Sequence, residues 1–114
     1  MRIQPVKPIN GIVRGVRNGA VALVKGLSVF NERGLHYGPS IGISRVAENF
    51  KSKISMIKEL NGKIADAKDV KDMHDLYIGK GDKFSFKAEG DDAQDAIDAL
   101  SKFITEEYPD IYLD

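Results

Sequence analysis

Apolar residues recur along this chain with two different periods, and the changes of period divide it into elements. From Lys83 to Glu89, Phe84, Phe86 and Ala88 alternate with Ser85 and Lys87, the pattern of a strand buried on one face only. Beyond it the period lengthens. Ala93, Ala96, Ile97, Leu100, Phe103 and Ile104 form one stripe of a long amphipathic helix, with Asp91 and Asp92 capping and charging its first turn and Tyr108-Pro109 ending it. Ile43, Val46, Ala47 and Phe50 carry the same helical spacing after Pro39, which predicts a helix over 39–51. Gly42 inside that helix costs about 0.8–1.0 kcal/mol relative to alanine, and Ile41 lies off the buried stripe.

Turn chemistry supplies the remaining boundaries. Two prolines make residues 1–8 an extended leader. Asn18-Gly19 between β-branched runs predicts a hairpin with strands near 10–17 and 20–30, and Gly15 and Gly26 mark bulges or bends. Lys53 to Leu60 reads as a strand, turned at Asn61-Gly62 into a short strand over 63–66. A short helix over 69–77 follows, with Asp69 as N-cap and Gly79 and Gly81 beyond its end. The segment 110–114 either frays or packs. Half-polar strands with one-sided helices imply an α+β fold, an antiparallel sheet covered by helices on one face, with Phe84, Phe86, Ile97, Leu100 and Phe103 in the core.

Composition narrows the function classes. With 114 residues the chain suits one domain, and without cysteine it has neither disulfides nor thiolate metal sites. The absence of a long apolar run predicts a cytoplasmic protein with no direct membrane insertion. Net charge is zero, but Arg2, Lys7, Arg14, Arg17 and Lys25 all precede the first acid, Glu32, and the C-terminal quarter is acidic. Five spread basic residues without interleaved aromatics do not make a nucleic-acid surface. The two lone histidines, His36 and His74, do not make a metal site, and His74 reads as an ordinary helix residue. No second catalytic base and no Gly-Lys-Ser phosphate loop accompanies them, so a multiple-turnover enzyme is not expected and no cofactor is implied.

The candidate chemistry lies in Gly34-Leu35-His36-Tyr37-Gly38-Pro39-Ser40. His36 is set in a glycine-rich turn just ahead of a helix, whose unpaired N–H groups and macrodipole favour an anion. Imidazole is a nucleophile near neutral pH. A phosphoryl group on His36 would sit in that field; the plainer reading is a turn or capping histidine.

The order of these motifs resembles the histidine-containing phosphocarrier (HPr) family of the bacterial phosphoenolpyruvate-dependent sugar phosphotransferase system. That family carries Gly-Leu-His-Ala-Arg-Pro-Ala at its active site, beside which stands Gly34-Leu35-His36-Tyr37-Gly38-Pro39-Ser40. Asn61-Gly62-Lys63, Ala67-Lys68-Asp69, Lys80-Gly81-Asp82 and Ala88-Glu89-Gly90-Asp91-Asp92-Ala93 resemble later family motifs in the same order. The resemblance implies an open-faced sandwich, a four-stranded antiparallel sheet with three helices on one face, over 20–107. An N-terminal extension with an added strand would occupy 1–19 and a C-terminal tail 108–114.

It also implies that His36 accepts a phosphoryl group on its δ nitrogen from the phosphorylated first enzyme of the system and passes it to a sugar-specific acceptor protein. Gly38, Pro39 and Ser40 would hold the group, and Tyr37, Ile41, Val70, Met73 and Tyr77 would form the partner surface of a monomer. Where the family has its phosphoryl-contacting arginine this chain has Gly38, leaving Arg33 and Arg45 as substitutes if either folds back. Where many members have a regulatory serine it has Asp69, which cannot be phosphorylated. Two functions remain open: a phosphocarrier, or a regulatory or interaction module of the same fold without phosphotransfer.

Overall fold

A computed structural model describes residues 20–113. The elements run β1 (Val21–Val29), α1 (Tyr37–Ala47), β2 (Lys53–Lys58), β3 (Ile64–Asp66), α2 (Val70–His74), β4 (Lys83–Glu89), α3 (Ala93–Glu107) and β5 (Ile111–Leu113). The strand near 10–17, the Asn18-Gly19 turn and the bend at Gly15 lie outside the described residues.

The strands form one antiparallel sheet in the order β3-β2-β4-β1-β5. Alternation along each strand aims Ala22, Val24, Leu27, Val29, Ile54, Met56, Phe84, Phe86 and Ala88 into a single core. The helices close it with Ile43 and Ala47, Met73, and Ala96, Ile97, Leu100 and Ile104, all buried. Phe103, expected in the core, is only partly buried and packs at its margin. Among the described residues no helix is long and apolar enough to cross a membrane.

Gly26 is a bulge, as its place in β1 predicts. Val24 pairs with Phe86 and Leu27 with Phe84, so Lys25 and Gly26 together oppose Ser85. Gly26 takes φ +80°, and its N–H donates to Glu59 Oε2 at 3.1 Å. The Ser85 hydroxyl donates to the same oxygen and is the main reason the Glu59 carboxyl titrates below its ordinary range. This attachment also explains why β2 stops at Lys58 rather than Leu60: Glu59 turns into the bulge, and Leu60 is left on an exposed turn.

The sheet has five strands rather than four because the C-terminal segment, which could fray or pack, packs as a strand. Leu27, Ser28 and Val29 of β1 pair with Leu113, Tyr112 and Ile111, the Phe30 N–H donates to the Asp110 carbonyl at 2.8 Å, and Ile111 is buried. The edge of β1 that would otherwise face solvent is thereby capped along those residues.

Asp92 departs from its expected role. At the N-cap of α3 it makes no capping bond with its own helix. Its carboxylate accepts instead from the Lys51 N–H at 2.8 Å, the Ser52 N–H at 2.9 Å and the Ser52 hydroxyl. That clip ties the loop after α1 to the start of α3, and α1 ends at Ala47, short of the expected residue 51, with Asn49 and Phe50 bonded in tight turns to Val46 and Ala47.

Truncating Leu100 to alanine is expected to cost about 2–5 kcal/mol in denaturant titration. A change below half a kcal/mol would remove α3 from the core. The Asp92 clip has a pH signature. The Ser52 hydroxyl, helped by two backbone N–H groups, holds the Asp92 carboxyl below its ordinary range. Its stabilisation is therefore complete above the unfolded carboxylate value of about 3.9 and is lost as pH falls through the lower folded value. Asp92→Asn should be less stable than the parent at pH 7, with the gap closing below about pH 4; a gap independent of pH would show that the charge is not what the clip uses.

Candidate functional site

The loop from Phe30 to Leu35 carries β1 into α1 and fixes where His36 stands. Its turn is local: the Arg33 N–H donates to Asn31 Oδ1 at 2.9 Å and the Gly34 N–H to the Asn31 carbonyl at 3.1 Å. Gly34 takes φ +64°, and a Cβ there would lie 2.9 Å from Gly79 Cα and closer still to the Ile78 carbonyl oxygen. Only glycine permits that approach. The Leu35 N–H then donates to the same Ile78 carbonyl at 2.8 Å, and the Leu35 side chain enters the core.

His36 emerges half-buried from this anchored loop, as the N-cap of α1. Its extended backbone (φ −90°, ψ −169°) suits a capping position, and its Nδ1 accepts the Gly38 N–H at 3.3 Å. Nδ1 is therefore the unprotonated nitrogen in this arrangement, its lone pair aimed at the helix N-terminus. Because His36 caps the helix, α1 begins at Tyr37, two residues before the expected start at Pro39. Pro39 occupies the third helical position, where a missing N–H is still no loss.

This earlier start changes which groups can receive an anion. Pro39 has no N–H, and both it and Ser40 are buried. The Ser40 N–H and hydroxyl donate to the His36 carbonyl at 3.3 and 3.2 Å. Pro39 thus has no N–H to offer and the Ser40 donors are engaged within the turn, which leaves the Gly38 N–H, itself on His36 Nδ1, as the backbone group nearest the imidazole. The Tyr37 N–H is a second, having no partner among the described residues. Arg33 lies in the exposed turn and Arg45 in the last turn of α1, and neither side chain makes a bond or ion pair among the described residues. The nearest ion pair on the loop joins Lys80 to Glu32 at 2.8 Å.

Beside His36 lies an exposed aromatic surface. Tyr37, Ile41 and Tyr77 are 50%, 41% and 71% exposed, whereas Val70 is half-buried and Met73, expected here, is buried at 1% and supports the surface from beneath. His74 belongs to it instead: its ring stacks on Tyr37 with centroids 4.0 Å apart and planes 3° from parallel, and Tyr77 lies 6.0 Å away at 59°. Helical spacing places His74 on α2 but holds no signal of Tyr37, which comes from another helix. Tyr77 takes φ 54°, a left-handed conformation costing roughly 1–2 kcal/mol for a residue with a Cβ. Its carbonyl is held by Lys58 Nζ at 3.0 Å.

Asp69 caps α2, accepting the Asp72 N–H at 3.1 Å. Asp72 in turn accepts the Asp66 N–H at 2.8 Å. The helix stops at His74, before Gly79, through tight turns from Leu76 to Met73 and from Tyr77 to His74.

A family model described as the PTS HPr component phosphorylation site matches residues 24–106. The chain belongs to the HPr family. It is 31% identical to the phosphocarrier protein HPr of Cupriavidus necator over 86 residues, 75% of this chain and 94% of that protein. It is 34% identical over 84 residues, 73% of this chain, to a multiphosphoryl transfer protein of Haemophilus influenzae, of which it spans 17%. Among solved structures, a histidine-containing phosphocarrier protein of Mycoplasma superposes with a TM-score of 0.70 at 26% identity, over 75% of this chain and 94% of the other. With the HPr family comes a phosphocarrier role in the phosphotransferase system.

Asp69→Ser should leave stability nearly unchanged, since both residues cap well, and Asp69→Ala should cost about 0.5–2 kcal/mol. Equal denaturation midpoints for all three proteins would show that the cap bond contributes nothing.

Proposed function

We propose that this HPr protein accepts a phosphoryl group on His36 Nδ1 from the phosphorylated first enzyme of a sugar phosphotransferase system and passes it to a sugar-specific acceptor protein, working in the cytoplasm. The observation that carries this reading is the capping bond itself: the Gly38 N–H at 3.3 Å holds the imidazole with Nδ1 unprotonated at the opening of α1. In the transfer the Nδ1 lone pair forms a bond to phosphorus while the bond from phosphorus to the donor's leaving atom breaks, and the leaving atom keeps that electron pair. The Gly38 N–H, released from the nitrogen, and the Tyr37 N–H, without a partner among the described residues, are the groups that meet the phosphoryl oxygens. The helix terminus contributes about 0.3–1 kcal/mol to an exposed anion. Tyr37, Ile41, Val70 and Tyr77, with His74, form the face on which a partner docks.

A regulatory module that keeps the fold without phosphotransfer is the second reading, and Gly38 favours it. A charge-assisted hydrogen bond is worth about 1.5–3 kcal/mol, so its absence slows transfer by roughly one to two orders of magnitude. A Cβ at position 38 would lie 3.2 Å from His36 Cε1, so an arginine fits there once the half-buried ring gives by a few tenths of an ångström.

Incubation with phosphoenolpyruvate and the cognate first enzyme should therefore label the protein slowly and in acid-labile form. His36→Ala should take no label, and Gly38→Arg should take it roughly ten- to a hundredfold faster. No label on either the parent or Gly38→Arg, with circular dichroism showing both folded, would overturn the carrier reading in favour of the module.

A further inference from the structure

The first turn of α1 is held by more than its own cap. The C-terminal end of α3 lies against it, and two aromatic residues meet its glycines there. A Cβ on Gly42 would lie 2.8 Å from Phe103 Cε2, closer still to Cζ, and 3.4 Å from the Tyr108 hydroxyl. Gly42 is therefore not merely tolerated inside α1: its bare Cα is the slot that Phe103 fills. The Phe103 ring packs edge-on against Tyr108, with centroids 5.7 Å apart and planes at 76°. The Tyr108 hydroxyl then donates to the Gly38 carbonyl at 3.4 Å.

We propose that Tyr108 is a positioning residue for His36, its ring fixed by Phe103 in the Gly42 slot and its hydroxyl holding the Gly38 residue whose N–H orients the imidazole. This inference rests on the carrier reading for its effect on phosphoryl transfer, but its structural part stands on the contacts alone. Gly38 is the second residue of α1, exposed and without a side chain, so the Tyr108 hydroxyl adds a side-chain bond to a backbone that is otherwise held only by its helix and its cap. At 3.4 Å the hydroxyl bond is long, so the position of the ring matters as much as the bond.

The ring in turn is locked by the chain around it. Tyr108 is the C-cap of α3 with its N–H on the Ile104 carbonyl, and its own carbonyl accepts the Ile111 N–H at 2.9 Å. The strand that follows pairs with β1, which leads into the loop bearing His36. Both ends of the histidine's support are thus tied to the same C-terminal segment.

Tyr108→Phe removes the hydroxyl and keeps the ring, and three measurements on the full chain read its effect. The Gly38 amide and His36 ring nitrogen resonances should shift while the denaturation midpoint stays. Labelling of His36 by phosphoramidate, a small donor that needs no docking, should slow roughly two- to tenfold, the effect of one ordinary hydrogen bond. Labelling by the first enzyme should lose the same factor in kcat with KM unchanged.

Gly42→Ala should reproduce the spectral shifts by displacing Phe103, and Phe103→Leu should reproduce them by removing the ring that fixes Tyr108. If the enzyme labels neither parent nor variant while Tyr108→Phe moves the resonances, the carrier reading fails and the positioning role stands. Unchanged Gly38 and His36 resonances in Tyr108→Phe, or in Gly42→Ala, would overturn the proposal.

Discussion

The approach of Gly34 to the Ile78–Gly79 peptide is the constraint on which the rest of the site depends. At that point the chain between β1 and α1 passes so close to the turn after α2 that any side chain would meet backbone atoms. Backbone cannot yield as a flexible side chain can, so the crossing sets the height of the loop above the sheet. The Leu35 N–H bond to the Ile78 carbonyl and the burial of Leu35 follow directly. One residue later His36 has little choice of position. The same crossing brings α1 and α2 together, which is why Tyr37 finds His74 beneath it.

Capping and nucleophilicity draw on the same lone pair. Nδ1 can accept the Gly38 N–H or attack phosphorus, not both at once, so the bond that orients the imidazole must be given up when it reacts. That is affordable because the bond is weak: at 3.3 Å it is longer than the usual N–H···acceptor distance. On the proposed transfer the N–H so released would face the new anion, so the Gly38 N–H would keep a partner in either state. On that proposal, orientation before the reaction and stabilisation after it would be supplied by one backbone group.

What could be read in the sequence followed the range of the interactions. The elements of the sheet and the stripe of α3 rest on local periodicity, and Ile97, Leu100 and Ile104 lie where that period places them. Gly26 was legible as a bulge and Asp69 as a cap because both signals act within a few residues. Asp92 carries an equally good local capping signal, yet its carboxylate bonds Lys51 and Ser52 across the fold. The three residues of β5 hold too little alternation to declare a strand, and their partner strand lies at the other end of the described chain. Within the site, His36 was legible from its turn, but its role as N-cap was not, because proline at an early helical position marks a helix start without saying which of the first positions it occupies.

The weakness of the site also bears on what a carrier must do. A protein that accepts a phosphoryl group in one encounter and surrenders it in the next needs a phosphorylated state that is not too stable. A helix terminus offers about 0.3–1 kcal/mol to an exposed anion, whereas a hydrogen bond from a guanidinium offers about 1.5–3. Replacing the second by Gly38 removes stabilisation from the phosphorylated form wherever the arginine would have touched it. If the lost contact belongs to the resting phosphohistidine, acceptance becomes less favourable and donation more so by the same factor, because both equilibria share that state. If it belongs only to the transition state, both transfers slow and neither equilibrium moves. The two cases divide on whether the phosphoryl oxygens would meet a side chain at position 38 in the bound state or only in passing, and a Cβ added at Gly38 would lie 3.2 Å from His36 Cε1, against the ring itself. On the proposed carrier reading, a side chain so near the ring would touch the resting anion as well as the transition state, so the arginine's absence would shift the equilibrium toward donation as well as slowing the transfer.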